Sequence, residues 1–526
     1  MACPGHHTTA VPRRRSRSWL TTLAMTTAVA AVISGGGCSG GSATGDRSRS
    51  TATTDASPPA PGQEEGSLER VPHHRYVSRP DLTPPVVHIV TPGGSPTGLL
   101  CLAPKRHGAQ AGPLIVDRHG EPVWVSPAPG GETAADLRVQ TYRGQPVLTW
   151  WEGRSAAGRG SGEAVMVDRR YREVARLRAG GGADFHELRL TDEGTALLLV
   201  YRVEPADLSS AGGPTDGYEH ENLVREVDVA TGKVLFEWRA GDHVPVADTY
   251  SRPRGREDGS TEEGAFDWFH ANSVAPGPDG TLLVSARNTH AVYAVDRRTG
   301  DVRWTMGGKR SDIDMGPGAS FAWQHDAQWL GGSRFSLFDN HASTAGGDPS
   351  RALVLDVDTR ARTARLVSAT RHPASLSAGT QGNTQVLPGH GIFVGWGSAG
   401  RMTEFAPDGT VTFDASFAPA DSYRAYRCDW SGRPGGPPDV VARSVDAPEG
   451  EGRAIEVAAS WNGATGIASW RVLAGDDEEH LETVAEVRRD GFETVTTLAR
   501  DADAVAVEAL AGSGAVLARS DTVAVG

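Results

Sequence analysis

An excess of positive charge is the first thing this chain lacks. It carries a formal net charge of −13 over 526 residues, and no segment interleaves basic with aromatic side chains, which argues against a nucleic-acid surface. Long apolar runs are missing too, since the stretch from Trp19 to Ile33 is too short for a convincing membrane span. Cysteine is scarce: of four in all, only Cys101 and Cys428 lie in the body of the chain. In an exported protein those two either pair, clamping the start of the main domain to its end, or remain buried thiols. Between the strand-like segments of the middle region there is no convincing amphipathic helix.

What the chain does contain begins with a leader. Arg13, Arg14, Arg15 and Arg17 precede the apolar stretch, and small residues and Cys38 follow it, the order of a secretory signal. Residues 1–38 are therefore expected to be a leader, and the protein to be extracellular or lipid-anchored at the outer face of the cell membrane. The region resembles a bacterial lipoprotein leader, with Gly35-Gly36-Gly37 where Leu-Ala-Gly is usual, so that Cys38 is the residue to carry lipid and give peripheral membrane attachment. Cleavage without lipid and a retained anchor are the alternatives. Residues 39–75 are expected to be a disordered tether, because Gly, Ser, Thr, Pro and Glu dominate there without apolar periodicity.

The body of the chain repeats. Phe185-His186-Glu187, Phe269-His270-Ala271 and Gln324-His325-Asp326 each open a segment that runs through a turn into an apolar stretch ending in polar residues. A second repeat is a strand ending in Asp before a tight turn: Asp117, Asp168, Asp228, Asp296 and Asp356, with a degenerate sixth copy at Asp408-Gly409. Asp bonds the turn backbone and Gly accepts its positive φ. Six such copies predict an all-β fold, a six-bladed β-propeller over 76–432. The start of each first strand and the end of each second one then meet at one channel mouth, bringing His186, His270, Asn272, Arg287 and His325 together. Polar insertions from Pro205 to Asn222 and from His243 to Asp267 are expected to form a lid. After the linker Ser431 to Pro438, alternating strands over 438–526 predict a small immunoglobulin- or fibronectin-like β-sandwich held by Trp461 and Trp470, without a catalytic role.

Three imidazoles at equivalent positions, an arginine and an asparagine suit transfer of an anionic tetrahedral group: one imidazole attacks, and the rest hold the oxygens that carry charge. The planar fork of Arg287 binds two oxygens at once. Asn288 either contributes or ends its strand. A metal site stays open through Glu187 and Asp326, although no metal ligand or cofactor is assigned. A cell-surface propeller that binds sulfated or other anionic ligands without catalysis is a further alternative.

Ser78 to Pro85, Phe269 to Ser273, Ser285 to Asn288, Gln324 to Ala327 and Phe338 to His341 together resemble, in order, the signature segments of the bacterial and fungal arylsulfotransferase family, in its shorter branch. The resemblance implies a ping-pong sulfuryl transfer from a phenolic sulfate ester to an acceptor phenol, without a nucleotide sulfate donor. It implies that His325 is the histidine that becomes sulfated, with His186, His270, Asn272 and Arg287 as its sulfuryl-binding neighbours. The amino-terminal dimerising domain of the larger members has no evident counterpart, so the oligomeric state is left open. Ala294 to Trp304, and partly Glu226 to Trp238, also fit the tryptophan-docking motif of quinoprotein propellers; its Asp-Thr-Gly turn and packed Trp serve ring closure.

Overall fold

The structure, a computed structural model, describes residues 71–94, 98–105, 110–341, 348–446 and 453–526. The leader and most of the tether expected over 1–75 lie outside the described residues, Cys38 among them. Within the described residues the regular elements are strands and short 3-10 turns, and no helix is long and apolar enough to cross a membrane.

Six sheets follow one another, each built on four antiparallel strands; the fifth gains Asp314–Met315, parallel to its outer strand, and the sixth gains His88–Thr91. The second sheet is Thr133–Tyr142, Gln145–Ala156, Arg159–Val167 and Glu173–Leu177, and the third is Leu188–Leu190, Thr195–Ala206, Gly217–Asp228 and Val234–Arg239. The fourth is Ala271–Pro276, Thr281–Ala286, Ala291–Asp296 and Val302–Gly307. The fifth runs through His325–Gly331, Arg334–Asp339, Arg351–Asp358 and Thr363–Thr370, and the sixth through Asn383–Val386, Ile392–Gly395, Arg401–Phe405 and Val411–Ser416. The first is built from both ends of this region: Ser422–Cys428 pairs with Leu99–Pro104, which continues into Leu114–Val116 and Pro122–Val125. Ser422–Cys428 also touches Thr133–Tyr142 on one side and Asn383–Val386 on the other, so the row of inner strands closes on itself.

The apolar core is divided among the seams between sheets. Trp151 and Met166 meet Leu188 and Leu198 between the second and third; Leu197 and Val224 meet Val274 and Val284 between the third and fourth. Each fully buried aliphatic or aromatic side chain contributes about 1.5–3 kcal/mol by leaving water, and here that gain requires the neighbouring sheet. Trp238 shows the same dependence in a polar contact. Its indole N–H donates to the Gly300 carbonyl at 3.1 Å, tying the third sheet to the Asp-Thr-Gly turn of the fourth. Cys101 and Cys428 are disulfide-bonded with Cα atoms 6.0 Å apart, which locks the strand pair of the first sheet.

The Asp turns are where the repeat predicts them, with one change of register. Asp117, Asp168, Asp296 and Asp408 each accept a backbone N–H from the turn that follows, and Asp228 does so from Thr231. In the fifth sheet the turn is held by Asp358, which accepts from Arg360 and Ala361, whereas Asp356 lies inside the strand opposite Arg334. A shift of two residues keeps the same face of a strand, so alternation does not separate the two aspartates.

Pro205 to Asn222 is not an independent insertion: the strands Thr195–Ala206 and Gly217–Asp228 pair without a break as far as Ala206 opposite Gly217. The segment 243–267 lies against this long hairpin, with the Tyr218 N–H donating to the Gly259 carbonyl, the Phe266 N–H to the Tyr218 carbonyl and the His220 N–H to the Phe266 carbonyl.

Beyond the ring, Asp439–Asp446, Arg453–Ser460 and Glu493–Leu498 form one antiparallel sheet, and Glu482–Arg488, Ser469–Gly475, Ala504–Leu510, Val516–Arg519 and Val523–Ala524 form another. One apolar cluster containing Trp461, Trp470, Val457 and Val507 draws on both. Asn462 clips this region to the outer strand of the first sheet, exchanging side-chain bonds with the Val125 N–H and carbonyl at 2.9 Å each. Tyr171 donates to the Gly463 carbonyl at 2.7 Å; it sits on the Asp168 turn, at the end of its sheet opposite the start of the inner strand. Residues 77–78 also run along these C-terminal strands, Ser78 N–H donating to Glu493 at 2.6 Å, although the sequence pattern assigns them to the ring.

Candidate active site

Histidines 186, 270 and 325 stand at the starts of the inner strands of three successive sheets, and Arg287 directly follows the second strand of the fourth. The Arg287 N–H donates to the His270 carbonyl at 2.9 Å, which fixes the two side by side. His270 itself has φ 57°, and Asp136, Asp326 and Gln381 take left-handed φ at the corresponding points of their sheets. The strand registers shift between Ala271 and Ser273, between His325 and Gln328, and between Ala135 and Arg138. Such bulges re-aim side chains at a sheet rim, and here they converge: the His186 and His270 rings are 4.9 Å apart, and Tyr423 lies 5.2 Å from His186 and 6.2 Å from His325.

The three imidazoles are held differently. His186 Nδ1 donates to Asp184, and His270 Nδ1 donates to Asp267 Oδ2 at 2.6 Å. His325 Nδ1 meets an amide oxygen instead, Asn340 Oδ1 at 2.7 Å. Asn340 spends its NH2 group on the Ala378 and Gln381 carbonyls, so its oxygen can only accept, and the His325 proton sits on Nδ1. That leaves the lone pair on Nε2, which accepts a long hydrogen bond from the Gln381 backbone N–H at 3.3 Å. Burial, then the nearby Arg287 charge, hold His325 well below the ordinary histidine value, with Asn340 opposing. Burial also lowers His186, against the pull of Asp184.

Arg287 lies over the Trp323 ring, 4.6 Å from its centroid. Its Nη1 donates to Asn288 Oδ1 at 3.1 Å and its Nη2 to the Gly379 carbonyl at 3.3 Å. Asn288 in turn donates to the Asp267 carbonyl at 2.6 Å, so it braces the arginine as well as ending the strand. Burial lowers the guanidinium to about 10, and its Nε has no partner among the described residues. Asn272 is fully buried, with Nδ2 donated to the Gln324 carbonyl at 2.7 Å. Its own carbonyl accepts from Tyr423 and Arg424. It lies among the converging strands with one amide hydrogen given to the backbone and its Oδ1 without a hydrogen-bond partner among the described residues.

Glu187 and Asp326, the carboxylates of the metal alternative, belong to a different cluster. Arg424, fully buried, donates to Glu187 Oε2 at 3.1 Å and to Asp136 Oδ1 at 3.2 Å, and its Nε lies 3.6 Å from Asp326. Arg138 donates to Asp136 and Glu187. No group of three or more metal-ligating side chains is arranged to hold an ion among the described residues.

Several residues of the site are absent from the sequence reading. Asp184 and Asp267 had a legible signal, since each lies two or three residues before its histidine, whereas no acid shortly precedes His325. Arg159 and Gly160 had none. They sit at the tip of the second sheet's long hairpin, where Gly160 N–H donates to Asp184 Oδ2 at 2.6 Å and Arg159 Nη1 to Asp267 Oδ2 at 3.0 Å. One hairpin from a neighbouring sheet therefore fixes the carboxylates behind two histidines.

The sequence profile of the arylsulfotransferase (ASST) family matches residues 138–418, the span that carries His186, His270, Arg287, His325 and Asn340. The chain belongs to the arylsulfotransferase family. No curated protein matches it. Among solved structures, a protein of unknown function from Bacteroides caccae is 14% identical, covering 63% of this chain and 100% of its own, with a TM-score of 0.37. The β-propeller domain of Myceliophteria thermophila Cps50 (Swd1) is 11% identical over 62% of this chain and 98% of its own, with a TM-score of 0.31. The soluble aldose sugar dehydrogenase of Escherichia coli is 10% identical over 65% of this chain and 100% of its own, with a TM-score of 0.29. For an arylsulfotransferase the arrangement is chemically apt: a neutral imidazole is surrounded by an arginine and two carboxylate-backed imidazoles.

Proposed function

We propose that this arylsulfotransferase moves a sulfuryl group from a phenolic sulfate ester to an acceptor phenol through a sulfated His325. The observation that carries the reading is the choice of partner behind each histidine. An amide behind His325, with burial, keeps its Nε2 lone pair available near neutral pH, the state an attacking imidazole needs. Asp184 and Asp267 accept from Nδ1 of His186 and His270 and so orient the two rings, leaving their Nε2 edges to meet the sulfuryl oxygens. Arg287 takes the remaining oxygens with its fork. The His325 nitrogen attacks sulfur, the N–S bond forms and the S–O bond to the donor phenol breaks; the acceptor phenol's oxygen then attacks the same sulfur and releases His325. Asn272 gives one amide hydrogen to the Gln324 carbonyl and has the other to offer a sulfuryl oxygen.

The closed row of sheets is, in this reading, a six-bladed propeller over 76–432, and the two C-terminal sheets over 438–526 are an immunoglobulin- or fibronectin-like accessory sandwich away from the mouth. The leader sequence and the Cys101–Cys428 bond support export to an oxidising compartment, with Cys38 as the anchor point if lipid is attached. Replacing Cys38 by Ala is expected to release the protein into the medium; retention in the membrane fraction argues for an uncleaved anchor.

The direct test of the chemistry supplies a phenolic sulfate without acceptor, quenches into alkali and analyses the peptides by mass. The expected result is one added sulfuryl group on the peptide containing His325, and neither adduct nor turnover in His325→Asn. An adduct on His270 reassigns the nucleophile. Donor binding without any adduct assigns a receptor instead of an enzyme.

A further inference from the structure

The proposed reaction leaves one proton unassigned: the departing phenolate must gain it and the acceptor phenol must lose it. Arg287 is committed to the sulfuryl oxygens and to Asn288 and Gly379, and His186 and His270, held by carboxylates through Nδ1, are committed to the same oxygens. One more cation reaches this mouth, and the repeat locates it. In the fourth sheet, Arg287 follows the second strand, and its N–H donates to the carbonyl of the residue just before the inner strand, His270. In the first sheet, Lys105 follows the second strand Leu99–Pro104, and its N–H donates at 2.9 Å to the carbonyl of Asp421, just before the inner strand Ser422–Cys428. Lys105 is thus the counterpart of Arg287 three sheets away, on the far side of the ring.

Its side chain turns toward the same loop that holds His325. Nζ donates to Gln381 Oε1 at 2.8 Å, and the Gln381 backbone N–H is the group facing His325 Nε2. Nζ also lies 5.4 Å from the Phe185 ring and 5.9 Å from the Tyr423 ring; Phe185 stacks on His186 at 4.1 Å. Asp421 accepts from the Gln381 amide at 2.9 Å, and among the described residues Lys105 forms no ion pair.

Resting on the sulfuryl-transfer reading, the geometry points to Lys105 as a catalytic residue that carries the phenol proton. As the donor's S–O bond breaks, an Nζ–H proton passes to the phenolate oxygen and leaves a neutral amine. The acceptor phenol returns that proton as its oxygen attacks sulfur and the N–S bond to His325 breaks, so the ammonium is restored in each cycle. Burial, opposed by Asp421, lowers Lys105 from its usual value, so its ammonium gives up a proton more readily than that of an exposed lysine.

The test compares two donors that differ in how much their leaving group needs a proton: phenyl sulfate, and 4-nitrophenyl sulfate, whose phenolate leaves unaided. In Lys105→Met, the rate at which phenyl sulfate forms the His325 adduct in the absence of acceptor is expected to fall by roughly 10² or more, the size of a lost general acid, while adduct formation from the 4-nitrophenyl ester falls much less. Lys105→Arg, which keeps the charge but holds its proton, is expected to discriminate in the same way. Equal losses for both esters would make Lys105 a positioning residue acting through Gln381, and recovery of adduct formation from phenyl sulfate in Lys105→Arg would make it a fixed charge; either overturns the inference. Wild-type protein that transfers from neither ester overturns the sulfuryl-transfer reading itself, and this inference with it.

Discussion

His186 and Glu187 are neighbours in the chain, as are His325 and Asp326, yet each pair divides between two environments. The histidines line the mouth, where the bonds that hold His186 and His270 to their carboxylates use Nδ1. The carboxylates join Asp136 on the axis, where Arg424 and Arg138 compensate them. The axis has matched its charges against each other, so what it contributes is structure. The mouth holds polar atoms aimed at something other than the protein, so what it contributes is chemistry. A single step along a strand, with alternate residues on opposite faces, separates the two.

The sharpest way to break that contrast is to remove Arg424. Arg424→Met leaves Glu187 and Asp136 short of a partner in a buried site, and losing one member of such a cluster costs about 3–5 kcal/mol; denaturant unfolding is expected to show that loss. Unchanged stability would mean that the axis charges are not needed for the fold. Arg287→Lys is the converse. Turnover is expected to drop by about 10²–10³, as for a lost oxyanion contact, with the melting temperature nearly unchanged. Full activity in Arg287→Lys would move Arg287 to the structural side of the comparison.

Opening the clamp of the first sheet with Cys101→Ala and Cys428→Ala together is expected to cost about 2–5 kcal/mol, measured by thermal unfolding, without altering the proportion of protein that forms the His325 adduct. The smallest change tests the partner rule within the mouth itself. Asn340→Asp gives His325 the kind of backing that His186 and His270 have, which raises its affinity for a proton. In the wild type His325 titrates well below 6.5, so the rate of adduct formation should hold as pH falls toward 6; in Asn340→Asp the rate should begin to fall at a higher pH than in the wild type. The same sign governs stability. The unfolded chain takes up a proton near pH 6.5 that the folded His325 resists, so His325 contributes a loss of stability as pH falls below 6.5, and His325→Asn should flatten that part of the curve.

Much of the frame was legible because each repeated unit solves the same local problem. Strand alternation, the Asp turn and the histidine at the inner strand's start recur, and Asp117, Asp168 and Asp296 cap their turns as local chemistry requires. The register error at Asp356 arose because a two-residue slip is invisible to alternation. The extension of the third sheet was misread as an insertion because Pro205 to Asn222 is polar, yet its backbone pairs to the end; a hairpin that projects beyond its neighbours has little apolar face to advertise. At the site, the histidines and Arg287 were legible from the repeat, and Asp184 and Asp267 from their spacing. Asn340 and Lys105 were not, because their positions acquire meaning only from partners in other strands and sheets.

By itself the sequence determined the local chemistry: which residues turn, which alternate toward a core, and which imidazoles recur at one position of a strand. Those are interactions among residues a few positions apart, and their pattern survives in one dimension. Only the tertiary structure decided which imidazole is backed by an amide and which by a carboxylate, and which residues of a strand face the mouth rather than the axis. It also brought Lys105 and Arg287, nearly two hundred residues apart in the chain, to the same loop beside His325. Burial and partner identity set the charge of an ionisable group, and both are properties of the closed ring rather than of any segment in it.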